Sequence, residues 1–589
     1  MSKSATFRLC CCLSFLLLVV VAAVVACVVL FTKTKCSDGY FQHGAVAADS
    51  ERCSEIGRDI LQQGGSAVDG AIAALLCTSL VNPQSMGLGG GSIFTVMDKM
   101  GKVKVITSRE KVPRRIKADL LQSCPKSVKL MNGSEWIAVP GEIRGYKQAH
   151  DLYGKLPWAK LFEPAIRLAR HGFPLPNYLG IFLHMLKQPI EGSHLCDVFC
   201  NKNKTVLRPG ELLKFPKLAD TMETIAKEGA DAFYTGRIAH DLIADITDAG
   251  GSLTREDLAS FQANVTDPLV MPLGDYKMFT PPPPAGGALL GFILNIMNGF
   301  SLSRSSIEDD QKALTFHRYV EALKFASGQR PTIRDPDFNP EVMKEAEYLI
   351  SDKFANHVRT MISSSMTHDP QYYNITPALD HFGTSHMSVL AEDGTAVSVT
   401  STINHFFGSM VYSRRTGVIL NNELADFCNG RGHLQPGKMM RLILPLWLCL
   451  LFSVGVVPLE FFPSPPGEQP PSSMAPSILY SKSKNKLLLI GGSGGTMITT
   501  GVASALMNHL WFEKDLQQAI SDPVLYVNAK SQIEVEKGFD GSVVDKLKKL
   551  GHSVGNMTYS LNVVNAISRE GSCISAMSDT RKLGKAVGY

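Results

Sequence analysis

The stretch that decides the reading is HFGTSHMSVLAEDGTAVSVTSTIN, residues 381–404. A Gly383-Thr384 step precedes two strand-like segments joined by Glu392-Asp393-Gly394, a turn signal. With a three-residue loop and Gly394 left-handed, Ala391 pairs with Thr395, and Thr384 lies opposite Thr402. A two-residue Asp-Gly turn shifts the register and sets Thr384 opposite Ile403. We favour the first register because it brings two threonine hydroxyls side by side. A lone Gly-Thr step entering a hairpin is ordinary; its surroundings make it a candidate.

Upstream, Ala45 to Leu80 reads as two helical runs split by Gly64-Gly65, with Cys53 in one and Cys77 in the other, spaced for a clamp between the helices. The run NPQSMGLGGG (82–91) resembles a dinucleotide loop only superficially, because GxGxxG needs glycine at Ser92 and a strand-like segment follows, not a helix. Such a glycine run entering a hairpin is expected to allow close backbone packing beside a cavity. The hairpin ends at Ser108-Arg109-Glu110, where Arg109 can hold a carboxylate through two parallel hydrogen bonds or simply face solvent. Residues 140–360 read as mainly helical, with a capping signal at Thr254/Asp257 and a break at Pro281–Pro284. Cys196 and Cys200 are close enough for a small local bridge.

Downstream, Thr416–Leu420 reads as a strand running into NNELAD. One helical turn sets Glu423 and Asp426 on the same face, as surface acids or as a pair for an ammonium group. Ser472 and Ser473 supply two loop hydroxyls. Lys486–Ile490 reads as a buried strand, Gly491–Gly495 as a turn and Thr496–Phe512 as a helix. The turn formally satisfies GxSxG, so Ser493 with Asp522 and His552 offers a serine-hydrolase reading. Alternatively, the Gly494 and Gly495 N–H groups, at a helix N-terminus, form an oxyanion hole and Ser493 need not react.

The chain has 589 residues, 45% hydrophobic and 19% charged, which reads as well packed and too long for one simple core. A net charge of +5 spread along the chain, without a basic block, gives no sign of a nucleic-acid partner. Leu9–Phe31 is an uncharged run long enough to cross a bilayer, read as a signal anchor between a tail (1–8) and a stalk (32–44). Five N-x-Ser/Thr sequons follow, at Asn132, Asn203, Asn264, Asn374 and Asn556, as expected of a glycosylated ectodomain. The expectation is therefore a single-pass type II plasma-membrane protein with an extracellular body. Of 13 cysteines, Cys10, Cys11, Cys12 and Cys27 fall in the apolar run as apolar filler, the first three alternatively as lipid-acceptor sites, leaving nine outside it and at least one without an intrachain partner. No His/Cys cluster has zinc spacing, so no metal is expected.

From Ala45 to Tyr589 the chain resembles the γ-glutamyltransferase (glutathione hydrolase) proenzymes, members of the N-terminal-nucleophile hydrolases. The motifs are MGLGGG, the Arg109 strand end, PPPPAGG, GTSH, STIN, NNELADF, PSSM, GGSGGT and SDTRKLGKAVGY. VNPQSMGLGGG, PPPPAGGALL and GTSHMSVL look closest to the leukotriene-C4-cleaving branch. The resemblance implies an α/β four-layer αββα sandwich, no cofactor, and self-cleavage into a large chain (45–383, behind the anchor) and a small chain (384–589) that stay together as a heterodimer. Thr384 would attack the Gly383 carbonyl, then use its freed amine as base and its hydroxyl as nucleophile on a γ-glutamyl amide, with Thr402 orienting it. Arg109, Ser472 and Ser473 would bind the donor's α-carboxylate; Asn404, Glu423 and Asp426 its α-ammonium; Gly494 and Gly495 the oxyanion. Implied donors are glutathione, its conjugates and leukotriene C4; implied acceptors are water, amino acids and dipeptides. Disulfides Cys53–Cys77 and Cys196–Cys200 are also implied.

One segment departs from the family pattern. Near 438–462, between Asp426 and Ser472, lies MMRLILPLWLCLLFSVGVV, whose uncharged part is short for a span and carries Pro445. We read part of it as mis-spliced or mispredicted sequence rather than a membrane contact. Because substrate residues flank it, a catalytically inactive ectodomain stands as an alternative beside the serine hydrolase.

Overall fold

In a computed structural model of the chain, residues 20, 36, 39–124, 131–375, 383–428, 465–557 and 562–589 are described. Most of the apolar 9–31 run and the whole 438–462 insertion lie outside them. Among the described residues no helix is long and apolar enough to cross a membrane.

Two sheets form the centre. The first has seven strands, β1 (Ala45–Ala47), β2 (Gly91–Met97), β3 (Val103–Thr107), β4 (Asn264–Thr266), β7 (Ser385–Leu390), β8 (Ala396–Thr402) and β13 (Val587–Gly588), in the order β13-β1-β7-β8-β2-β3-β4. The second has six, β5 (Leu269–Leu273), β6 (Tyr276–Thr280), β9 (Ser477–Ser481), β10 (Lys486–Ser493), β11 (Val563–Glu570) and β12 (Cys573–Met577), in the order β12-β11-β10-β9-β6-β5. Period-2 alternation divides the side chains between layers. Met387, Val389, Val397 and Val399 face one helical layer. Leu390, Ala396, Leu487 and Leu489 meet between the sheets. Leu488 and Ile490 face the other helices. The first layer centres on α1 (Glu51–Gln62), α2 (Ala67–Val81) and α3 (Glu142–Tyr153), the second on α4 (Gly287–Asn298), α5 (Asp309–Gln329) and α6 (Ile498–Leu510). The layers therefore run helix, sheet, sheet, helix.

Local chemistry explains the elements around the site. Helix α2 is buried along its whole length, as its apolar composition requires. It starts with a capping box in which Ser66 and Asp69 each accept the other's backbone N–H. The expected Cys53–Cys77 clamp joins it to α1. Thr254 and Asp257 form the expected second capping box. In the β7–β8 hairpin, Ala391 N–H donates to Thr395 O at 3.0 Å and Gly394 has φ +84°. Ser385 pairs with Ser401, so Thr384 faces Thr402 as the three-residue loop requires.

Several expectations are corrected. Ala45–Ala47 is a strand, not the start of a helix. The mainly helical part contains β4, β5 and β6; Pro272 is accommodated because β5 is an edge strand. Thr416–Leu420 makes only isolated bridges, through Ile419 and Leu420. Strand β10 runs on through Ser493, and the helix proper begins at Ile498 after a 3-10 turn, Gly495–Met497. The end of the supposed stalk belongs to the body, since Phe41 pairs with Ile574 and the Gln42 and His43 N–H groups donate to Tyr589 O. Four disulfides use eight of the nine cysteines outside the apolar run: Cys53–Cys77 and Cys196–Cys200 as expected, and Cys36–Cys573 and Cys124–Cys428 in addition. The ninth, Cys449, lies outside the described residues.

Candidate active site

Thr384 is buried at the start of β7, in the middle of the first sheet. Its Oγ1 donates to Thr402 Oγ1 at 3.1 Å, and that oxygen also accepts the Asn404 N–H at 2.8 Å. Thr384 N–H donates to Ser85 O at 3.2 Å, and Gly494 N–H donates to Gly383 O at 3.0 Å. Lys582 Nζ grips the Thr384 carbonyl oxygen at 2.6 Å and Asp49 at 2.8 Å. Asn565 ties Asp49 to the His386 carbonyl oxygen through 2.8 and 2.6 Å bonds. Held this way, Thr384 has φ +80°. A β-branched residue there is strained, typically by about 1–3 kcal/mol.

The glycine run behaves as its composition suggests. A Cβ on Gly90 would lie 1.9 Å from Thr402 O, and the Gly90 carbonyl accepts the N–H groups of Gly141 and Glu142. Gly90→Ala is therefore expected to displace the Thr402 backbone. Turnover should fall by about 100-fold, the usual cost of misplacing a reacting group by about 1 Å. Steady-state kinetics checks this.

Beside the threonines lies a buried ion cluster. Arg109, fully enclosed at 1% exposure, donates through Nη1 to Glu423 and through Nη2 to Asp426 Oδ2 at 2.5 Å. Its Nε and Nη2 also donate to Pro470 O and Pro471 O at 3.2 and 2.8 Å. Asn404 Nδ2 holds the other Asp426 oxygen at 3.0 Å. The 3-10 helix Glu423–Cys428 presents both acids on one side, as the spacing requires. Sequence reasoning set Arg109 apart from these acids; the structure bonds them directly. Burial alone would lower the Arg109 pKa, but Glu423, Asp426 and Glu110 outweigh it and hold the guanidinium above its usual range. Burial likewise raises Glu423 well above the carboxylate range, and pushes Glu110, 3.8 Å from Arg109 Nη1, up to about 8. Behind them Glu142 is pushed up to about 8 by burial. Glu110 and Glu142 drew no attention in the sequence; only packing reveals buried acids.

Ser472 and Ser473 line the same cavity as Arg109, Thr384, Thr402, Asn404, Glu423, Asp426 and Gly495. Gly286, of the PPPPAGG run, packs against the Ser473 backbone, where a Cβ would meet the carbonyl oxygen at 2.8 Å. Arg330 was missed: it follows α5 without a motif, yet it donates to Ser473 Oγ and Thr496 O at 2.9 Å each and lines the cavity. Lys582 was also missed, although its motif was quoted. Leu289, Ile333, Ile375, Met474 and Val527 give the same cavity an apolar wall.

The serine-hydrolase triad is not assembled. Ser493 is a fully buried strand residue, and Asp522 pairs with Lys514. His552 uses one ring nitrogen on His317 (2.8 Å) and the other on Lys324 (3.2 Å). His317, Glu321 and His552 do approach with metal-ligand geometry, which sequence spacing had not suggested. Their bonding is complete without an ion. Lys324 donates to His552 Nδ1, His552 Nε2–H then donates to His317 Nδ1, and His317 Nε2–H donates to Ser363 O at 2.7 Å. Burial lowers both histidine pKa values, His552 to about 3, which suits this neutral relay. The Glu321 oxygens accept from Thr367 and Tyr373.

The helix–sheet–sheet–helix arrangement is an α/β fold like that of the N-terminal-nucleophile hydrolases. The same fold occurs in cephalosporin acylase from Bacillus halodurans, with TM-score 0.79, 23% identity, and coverage of 94% of this chain and 97% of that one. Gamma-glutamyltranspeptidase of Helicobacter pylori aligns over 57% of this chain and 95% of its own, with TM-score 0.52 and 26% identity. The family model described as Gamma-glutamyltranspeptidase matches residues 53–589, and the chain belongs to that family. Glutathione hydrolase 5 proenzyme of Homo sapiens is 47% identical over 564 residues, covering 94% of each chain.

Proposed function

We propose that the chain is a membrane-anchored γ-glutamyl hydrolase and transpeptidase that matures by cutting itself between Gly383 and Thr384. One observation carries this reading: the Gly383 carbonyl receives the Gly494 N–H while Thr384 Oγ1 is hydrogen-bonded to Thr402. The bond to be cut thus occupies the place a donor amide would take later. Thr384 Oγ attacks the Gly383 carbonyl carbon, and its proton passes to the Thr384 nitrogen as the C–N bond breaks to leave an ester and a free amine. Water then hydrolyses the ester, freeing the Gly383 carboxylate and restoring the Thr384 hydroxyl. Cleavage also relieves the strained φ at Thr384, because that torsion ceases to be part of a peptide.

The freed amine, with a typical pKa of ~7.7–8.0, then serves as base for the Thr384 hydroxyl. The hydroxyl attacks the γ-glutamyl carbonyl, with Gly494 and Gly495 N–H groups on the oxyanion and Thr402 orienting the nucleophile. A zwitterionic glutamyl end suits the ion cluster, its carboxylate taken by Arg109 with Ser472 and Ser473, its ammonium by Glu423, Asp426 and Asn404. The acyl group passes to water, an amino acid or a dipeptide. The apolar wall supports donors with bulky apolar thioethers, glutathione conjugates and leukotriene C4, beside glutathione. Comparing kcat/KM for leukotriene C4 and glutathione tests this; a donor whose α-carboxylate is amidated should not be turned over.

An extracellular body is supported by four disulfides and by the sequons. Asn132, Asn203, Asn374 and Asn556 are exposed and Asn264 is half-buried. The residue 9–31 anchor and the 384–589 small chain belong to the same proposal.

A pH prediction follows. Activity rises as the Thr384 amine loses its proton, then falls as Glu110, neutral below about 8, ionises and competes for Arg109. Glu110→Gln is expected to remove the alkaline fall in donor affinity, read from KM against pH. For stability the sign is opposite to that of an ordinary ion-paired acid. Folding holds a proton that the unfolded chain releases, so this group costs stability as pH rises from the ordinary carboxylate value of 4.5 to about 8.

A further inference from the structure

Two of the four disulfides cross the proposed cleavage point. Cys36 and Cys124 precede Gly383, whereas their partners Cys573 and Cys428 follow Thr384. Their Cα atoms stand 5.5 and 5.6 Å apart, ordinary bridging distances. Each bond is anchored by neighbouring structure. Cys573 opens β12, and the next residue, Ile574, pairs with Phe41. Cys124 follows the turn Leu120–Ser123, while Cys428 ends the helix that carries Glu423 and Asp426. Around that second bond, Val112, Leu120 and Trp136 pack against Leu424, Ala425 and Phe427 in a small apolar cluster that includes both cysteines.

We propose that the mature enzyme is a covalently linked heterodimer, fastened by Cys36–Cys573 and Cys124–Cys428, and that the latter bond positions the acid pair of the glutamyl site. The inference rests on the self-cleavage reading, since cleavage turns two intrachain loops into two interchain links. The sheets alone would resist separation, because each contains strands from both sides of residue 383. The added effect is local. A four-residue offset along one short helix separates Cys428 from Glu423's neighbour Leu424, so fixing its end to the large chain restricts the carboxylates that meet Arg109. Cys36–Cys573 fastens β12, a strand that carries no residue of the glutamyl site, and should not affect binding.

The test uses the full chain from a secretory host, with free thiols alkylated before denaturation. Without reductant one species is expected, and with reductant two, the smaller ending at Tyr589. Two species without reductant would overturn the covalent link while leaving self-cleavage intact. One species under both conditions would contradict self-cleavage, and the two-chain link with it. Peptide mapping of the alkylated protein reads the pairing independently of cleavage; any partner for Cys124 other than Cys428, or for Cys36 other than Cys573, overturns the assignment. Among variants, Cys124→Ser/Cys428→Ser is expected to raise donor KM about ten- to 100-fold with kcat within about threefold. Cys36→Ser/Cys573→Ser should leave both constants unchanged. An unaltered KM in the first pair, measured on the folded, cleaved fraction, would overturn the positioning role.

Discussion

Thr384→Ala is expected to leave residues 1–589 as one polypeptide and to abolish turnover of γ-glutamyl donors. The alanine keeps the backbone, so Lys582 and Ser85 can still hold it, but it removes the hydroxyl that donates to Thr402 Oγ1. Without that hydroxyl neither the first ester nor the later acyl-enzyme can form. The uncut chain also lacks the amine that serves as base, so the two losses compound. Removing a nucleophile typically costs on the order of 10⁴-fold or more in kcat. Thr384→Ser should still cleave and turn over, more slowly, because the hydroxyl remains while the methyl that restricts its rotamer is gone. Ser493→Ala should leave cleavage and kcat near wild type, since Ser493 lies within β10. Gel electrophoresis and kinetics on the three variants distinguish the threonine mechanism from a serine one.

Arg109→Met is expected to have the second-largest effect. Arg109 is the cation of a cluster holding Glu110, Glu423 and Asp426, and its remaining bonds tie the Pro470–Pro471 carbonyls beside Ser472. Removing one partner of a buried pair typically costs about 3–5 kcal/mol, because the other is left uncompensated. Thermal unfolding at neutral pH should therefore show a loss of that order. Donor kcat/KM should fall by about 10³-fold or more, as the α-carboxylate loses its charged partner while the acids remain to repel it. Arg109→Lys should fall between, since an ammonium keeps the charge but not the fork that spans Glu423, Asp426 and two carbonyls.

The parts of the fold legible in the sequence are those set by short-range chemistry. Gly394 after Glu392-Asp393 determines the loop, the loop determines the register, and the register puts Thr384 opposite Thr402. The Gly64-Gly65 break and the apolar run after it mark α2 in the same local way. The strands at 264–280 were obscured by Pro268 and Pro272, which interrupt the alternation without breaking the sheets. The candidate site was legible chiefly through motifs, since Arg109 and Glu423 meet across 314 residues. No local pattern carries such a contact. Motifs named the residues but not their bonding, so the direct Arg109–Glu423–Asp426 cluster, the buried Glu110 and Glu142, and Lys582 on the Thr384 carbonyl emerged only from packing. Cysteine counting could say that at least one of nine lacks an intrachain partner; it could not pair Cys36 with Cys573 or Cys124 with Cys428.

The central claim is that the Gly383–Thr384 bond is the enzyme's first substrate and Thr384 its nucleophile. N-terminal sequencing of the smaller fragment from purified, active protein tests it most directly. The account predicts Thr-Ser-His-Met, beginning at Thr384. Full activity in a protein with no cut there, or in one whose smaller fragment begins at another residue, would contradict it.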